Sequence, residues 1–300
     1  MIGFWLSLLT AFMWGTLPVA LVLLLDDLDV VTITWARFAF SAVIVGVGLL
    51  RQRQLPSPGM LSIRLRWTLV VAVLALLGNF LLYLVGLDLL NPEATQTIIQ
   101  LAPILLLLGS VYFNGERLSV LEWAGAAVLV VGLLLFFNQR LDHLFSALTA
   151  ETIGVISMLA AALSWSIYGL LQKRLLQVLS SRQLTLLIYG AGTIVLLLFI
   201  SPSSMLQLDS LQVLALLYCC LNMVLGYGAF TEALRVWQAA KVSAVIALAP
   251  IFTILTMQVA VHGWPQLFTS SELNTLAYVG ALVVVAGSML TALGKRAVRS

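Results

Sequence analysis

Long apolar runs, interrupted by short polar breaks, set the pattern of this chain. A bilayer's hydrocarbon core takes about 20 mostly apolar residues to cross as a helix. That ruler marks ten spans, at residues 2–25, 30–50, 67–87, 92–113, 119–137, 152–172, 183–200, 210–232, 239–261 and 275–293. The breaks hold the charges and prolines: Asp26-Asp27-Leu28-Asp29, Arg51 to Arg66 with Pro56 and Pro58, and Asn114-Gly115-Glu116-Arg117. The first span has no basic residue ahead of it and too long an apolar stretch for a signal peptide, so it is expected to stay.

Composition agrees with the pattern. The 300 residues are 62% hydrophobic and only 9% charged, against roughly 25% charged in a soluble domain. A soluble enzyme, a nucleic-acid binder and a disordered chain are excluded, and the net charge of +3 is too small to imply a nucleic-acid partner. The adjacent Cys219 and Cys220 make neither a disulfide framework nor a zinc spacing. Placement of the cations is more telling. With a cytoplasmic amino terminus, one side holds Arg51, Arg53, Arg64, Arg66, Arg117, Lys173, Arg174, Arg182, Arg235, Lys241, Lys295, Arg296 and Arg299. The other side's loops hold only Arg140, and Arg37 lies inside the second span. Those loops collect Asp26, Asp27, Asp29, Asp88, Glu93, Asp142, Glu151, Asp209 and Glu272. The positive-inside bias predicts an inner-membrane protein with both termini cytoplasmic.

The halves repeat one another. Leu101-Ala102-Pro103-Ile104 recurs as Leu248-Ala249-Pro250-Ile251, Ala11-Phe12-Met13-Trp14 as Ala162-Leu163-Ser164-Trp165, and Gly125 with Gly132 as Gly280 with Gly287. Five spans per copy is an odd number, so the second copy must enter the membrane from the opposite face. The expected fold class is an all-α membrane protein of ten transmembrane helices in two inverted five-helix repeats, residues 1–140 and 151–295. On Trp14-Gly15, Arg37-Phe38, Leu101-Ala102-Pro103, Gly115-Glu116, Trp123-Ala124-Gly125 and Gly132, and on their echoes Trp165, Leu248-Ala249-Pro250 and Tyr278-Val279-Gly280, the chain resembles the EamA-type members of the drug/metabolite transporter superfamily. It departs in having Tyr189 where the first copy has Arg37, and a longer loop at His262–Asn274, whose role stays open.

Polar and aromatic stripes at helical spacing mark what cannot face lipid. The candidate substrate-binding residues are Trp14, Arg37, Asn79, Tyr83, Gln96, Gln100, Trp165, Tyr168, Tyr189 and Tyr227. Arg37 sits about 10 Å into its helix at 1.5 Å per residue, where it either grips an anion or snorkels outward to pair with Asp26, Asp29 or a carbonyl. Trp14 and Trp165 either flank a cavity or pack helices. Pro103 and Pro250, inside their spans, are the candidate gating residues, and the paired glycines are read as close-packing stripes. No Walker motif, metal cluster or nucleophile with its base is present, so no enzyme activity, metal or cofactor is expected. Acids sit at helix ends (Glu93, Glu122 and Glu232, the last within reach of Arg235), leaving proton coupling open. The resemblance implies a secondary transporter of small organic solutes (amino acids, related metabolites or amphiphilic drugs), exporting by alternating access. A sugar-phosphate or nucleotide-sugar exchanger and a non-transporting scaffold are the rivals. The solute and the bilayer are its expected partners.

Overall fold

The computed structural model describes residues 1–57, 59–115, 117–139 and 148–294. Pro58, Glu116, Arg140, Asp142, His143, Lys295, Arg296 and Arg299 lie outside the described residues. Helices α1 (Ile2–Leu25), α2 (Val30–Arg51) and α3 (Ile63–Leu89) come first, followed by α4 (Pro92–Ile98), a 3₁₀ turn (Ile99–Leu101), α5 (Ala102–Asn114) and α6 (Val120–Phe136). The second half runs α7 (Ala150–Leu175), α8 (Ser181–Leu196), the single turn α9 (Pro202–Met205), α10 (Ser210–Val236), α11 (Ala239–Ile246), α12 (Ala249–Gly263) and α13 (Thr275–Gly294). No strand occurs among the described residues.

Starts are set by short polar side chains that accept otherwise orphaned backbone N–H groups. Asp29, Ser62, Asn91 and Thr149 cap α2, α3, α4 and α7. Ser119 with Glu122, Ser180 with Gln183 and Asp209 with Gln212 close capping boxes on α6, α8 and α10. Gly115 ends α5 at φ 66°, a left-handed conformation that an L side chain resists.

Eight helical stretches are long and apolar enough to cross a membrane, and α6 is a shorter apolar helix. Their outer faces carry exposed Leu74, Leu214 and Val259, while Ser7, Thr10, Thr34 and Thr253 are buried. That inverts a water-soluble protein and suits a lipid surround. The seventh expected span is shorter than the pattern suggested. Its helix has 16 residues and stops at Leu196.

The two Leu-Ala-Pro spans are also different from expectation. Pro103 and Pro250 are not kinks within continuous helices. Each is the second residue of a new helix, α5 or α12, after a break at Ile99–Leu101 or Ala247-Leu248. A proline there removes an N–H that the first turn leaves unbonded in any case. Both spans are therefore discontinuous at matching places.

Helix pairings fix the bundle. α6 lies against α13, α3 against α7, α1 against α10 and α2 against α8. α12 and α11 pack on α1, while α5 and α4 pack on α7. The α6–α13 seam is glycine-on-glycine. A Cβ on Gly125 would sit 2.5 Å from Thr291 N and 2.8 Å from Gly287 O, and one on Gly132 would sit 2.5 Å from Val284 N. Only small residues let backbones approach so closely. Ser119 Oγ donates to Gly294 O (3.1 Å) at one end of this seam, and Asn138 and Asn274 exchange amide hydrogen bonds (3.2 and 2.9 Å) at the other. The neighbours are therefore antiparallel. At the end carrying the basic breaks, Gln183 Nε2 donates to Gln54 O (2.9 Å). At the acidic end, Ser201 N donates to Thr32 Oγ1 (2.9 Å) and Gln212 Nε2 bonds Asp27.

Candidate functional site

Helix α2 delivers the most unusual side chain. Its backbone bonds are satisfied along the helix, so nothing local prevents Arg37 from entering the interior, and Phe38 beside it packs into the largest apolar cluster. Arg37 is only 3% exposed. Its Nε is buried without a hydrogen-bond partner, and no described carboxylate pairs with the guanidinium. Instead Cζ lies 5.0 Å from the Phe80 ring centroid, a cation–π contact that replaces only part of the lost hydration. The outward-snorkelling and acid-paired readings of Arg37 do not describe this geometry. Asp29 spends its carboxylate on Val31 N, Thr32 N and Thr32 Oγ1 at 2.7–3.0 Å. Two further polar atoms of α2 are buried and unpartnered: Ser41 Oγ, one turn on from Arg37, and Trp35 Nε1.

Behind the Phe80 ring stands an aromatic cluster. Phe38 meets Phe80 edge-on at 4.9 Å and Tyr189 at 4.9 Å, tilted by 38°. Trp165, Tyr168 and Tyr227 pack on the same cluster from α7 and α10. Among the described residues, no hydrogen bond engages the hydroxyls of Tyr168, Tyr189 or Tyr227. Arg37 lies within electrostatic reach of Tyr83, Tyr189 and Tyr227. The structure thus brings Arg37, Trp165, Tyr168, Tyr189 and Tyr227 together, with Tyr83 at the edge.

The other expected site residues are placed differently. Tyr83 Oη donates to Gln96 Oε1 (3.0 Å), joining α3 to α4. Asn79 donates to Ala161 O (2.9 Å), a tie between α3 and α7. A similar tie in the other half comes from Asn222, whose amide donates to Met13 O (2.5 Å) and joins α10 to α1. Gln100, in the 3₁₀ break, donates to Ala247 O (3.0 Å) in the other break. Trp14 packs at a tilt against Tyr227 (5.1 Å) and Phe230 (5.5 Å). Glu232 forms its ion pair with Arg235 at 2.5 Å. Phe80, Phe230 and Trp35 escape a reading by residue type, because one aromatic in a leucine-rich helix looks like any core residue.

A separate cavity of about 870 Å³ opens at the acidic end, lined by Asp26, Asp88, Glu151, Met257, Phe268 and Glu272 among others. None of the expected site residues lines it. At its edge Ser271 Oγ donates to the buried Glu93 carboxylate (2.7 Å), so the His262–Asn274 loop is fastened to the first turn of α4. Phe268 anchors the same loop against Val19, Met257 and Ala260. No group of His, Cys, Asp and Glu that could hold a metal ion occurs among the described residues.

Discontinuous helices, an apolar exterior and a buried cation beside aromatic rings fit a polytopic membrane transporter. Residues 1–138 and 152–293 match the EamA-like transporter family, and the chain belongs to that family. It is similar to the uncharacterized inner membrane transporter YhbE of Escherichia coli K12, at 40% identity over 98% of this chain and 92% of that one. A transporter of Haemophilus influenzae is 37% identical over 99% and 96% of the two chains. A probable amino-acid metabolite efflux pump of Salmonella typhimurium is 24% identical over 64% of each. One crystal structure superposes over 98% of both chains with a TM-score of 0.63 at 18% identity, a likeness of fold. The protein is a transporter and not an enzyme.

Proposed function

We propose that this protein exports small organic anions across the inner membrane by alternating access between two inverted five-helix repeats, residues 1–140 and 151–295. The observation that carries the reading is Arg37, a buried guanidinium with no counter-ion among the described residues. Placing Arg near a bilayer centre costs about 2.5–3.5 kcal/mol on insertion scales, and a solute carboxylate would supply the missing partner. Trp165, Tyr168, Tyr189 and Tyr227 would hold its apolar body. Tyr83 and Gln96 lie toward the acidic end of the path, and Trp14 borders it through Tyr227. The carboxamides of Asn79 and Gln100 hold the helices that form it.

Several features support two inverted copies. The pairings of α1 with α10 and of α7 with α3 exchange when the halves exchange, as do those of α1 with α12 and α7 with α5. The Asn79 and Asn222 ties follow the same rule, and Gln100 reaches the residue 147 positions on, the offset of the repeated Leu-Ala-Pro-Ile. Pro103 and Pro250 fix the two breaks, about which the halves rock. Both chain ends then lie in the cytoplasm.

Charge supports the outward direction. Anions are drawn to the basic face and repelled from a mouth lined by Asp26, Asp88, Glu151 and Glu272, so capture is favoured inside and recapture disfavoured outside. A sugar-phosphate exchanger would want a second cation beside Arg37, and Lys241 instead lies 5.8 Å over the Trp237 ring. Amino-acid metabolites, the cargo in the Salmonella relative's name, include such anions. Flux into inside-out and right-side-out proteoliposomes, with and without a pH gradient, tests the reading. Carboxylate flux that saturates at lower concentration from the basic face is expected. No flux of any solute would leave a scaffold, and labelled termini on opposite faces would end the inverted repeat.

A further inference from the structure

Taking Arg37 as the solute's anchor, the charge balance of the site says more about the solute than that it is an anion. Arg37 contributes one buried positive charge, and no described carboxylate answers it. Its nearest ring neighbour is Phe80, and behind that ring stand Phe38 and Tyr189. Among the ionisable groups within its electrostatic reach are the phenols of Tyr83, Tyr189 and Tyr227 and the thiols of Cys219 and Cys220. The buried acid Glu93 is engaged at the far cavity's edge by Ser271.

We infer that the site selects a monocarboxylate with an aromatic or branched apolar body and no ammonium group, an organic acid rather than an amino acid. A single carboxylate satisfies Arg37 and leaves the buried site neutral. A zwitterion brings that same carboxylate together with an ammonium, which must shed its water among aromatic faces with no anion to receive it, and burying a charge unpaired is costly. Aromatic faces do attract cations, but Phe80 already serves Arg37, and a second cation beside it would be repelled. A dicarboxylate fails in the opposite sense, since its second charge has no cation. Ser41, whose hydroxyl is buried and unpartnered one turn from Arg37, offers a donor to the second carboxylate oxygen. The phenols of Tyr189 and Tyr227 remain for a keto or hydroxyl substituent. Transamination or reductive breakdown of aromatic and branched amino acids is the class of reaction that yields such acids.

Four near-isosteric probes separate the possibilities: 3-phenylpropanoate, its neutral amide, phenylalanine and phenethylamine. Binding to the full-length protein in nanodiscs is measured by calorimetry and by thermal stabilisation, with flux in proteoliposomes alongside. The inference expects 3-phenylpropanoate to bind at least about tenfold more tightly than each of the other three. Arg37→Gln should erase its advantage over the amide, and Arg37→Lys, which keeps the charge and guards against misfolding, should retain part of it. Phenylalanine binding as well as or better than 3-phenylpropanoate would overturn the inference, as would none of the four binding. If other solutes still move across the bilayer in either case, the carrier reading survives; if none moves, both fall.

Discussion

Replacing Arg37 with methionine should make the empty protein more stable while destroying its function. The perturbation removes a charge that is 3% exposed, has a sealed Nε and lies with Cζ 5.0 Å from the Phe80 ring centroid. Methionine keeps an unbranched stem of similar reach, and its sulfur makes a favourable contact with an aromatic ring. The gain has two bounds. Insertion scales place Arg about 3 kcal/mol above an apolar residue at mid-helix, and exchanging buried ionic groups for apolar ones commonly stabilises by about 1–4 kcal/mol. Part is lost because the guanidinium is never fully hydrated in the unfolded, inserted chain, and the Phe80 contact offsets about 1 kcal/mol more. A net gain of about 1–2 kcal/mol remains. Thermal unfolding of the purified, solute-free protein reads it as a higher midpoint, and stabilisation by a carboxylate solute should vanish in the same variant. A fall in the midpoint by a similar amount would mean that Arg37 holds helices together, and the reasoning from an unanswered charge would be refuted.

Three further outcomes are expected. Gly132→Ala should cost about 1–3 kcal/mol by overpacking, because its Cβ would meet backbone at Val284, whereas Gly190→Ala, with open space around it, should be neutral or stabilising by up to about 1 kcal/mol; chemical unfolding of both compares them. Asp29→Ala should cost about 1 kcal/mol as a lost cap. Burial would raise the Asp29 carboxyl, but hydrogen bonds from Thr32, Ser201 and Val31 outweigh it and hold the carboxyl below its ordinary 3.8. Its contribution is therefore fully present above that value and lost as pH falls through the lower folded one, so a melting series should show the Asp29→Ala gap at neutral pH and not at strongly acidic pH. Gln100→Leu, which frees the Ala247 carbonyl, should cost about 1 kcal/mol and change the relative accessibility of the two sides, read by cysteine labelling.

Much of this was legible in the chain. The apolar runs, the Asp, Ser, Asn and Thr starts and the glycine stripes all rest on local chemistry, and the helices follow them closely. The breaks at Leu101 and Leu248 were harder, because an apolar run with one proline reads alike as a kinked helix or as two helices end to end. Only the 3₁₀ turn and the contact between the breaks separate these. Arg37 announced itself as a charge in an apolar helix, whereas its company could not be read from the sequence. Phe80 and Tyr189 reach it through the packing of α2 on α3 and α8, a long-range matter. The Ser271–Glu93 bond joins residues 178 positions apart and left no periodic trace.

The hydrogen bond from Gln100 to Ala247 is not reciprocated, because alanine has no side-chain amide to send back, so the proposed exchange of the two halves would be broken at its own axis. A seesaw with equal arms would idle in either tilt, but this one carries a small weight on one side. On the alternating-access proposal, whichever tilt lets Gln100 reach that carbonyl would be the posture of rest, and the empty carrier would return to it unaided. The return stroke would then need no cargo, which is what distinguishes a one-way porter from an exchanger.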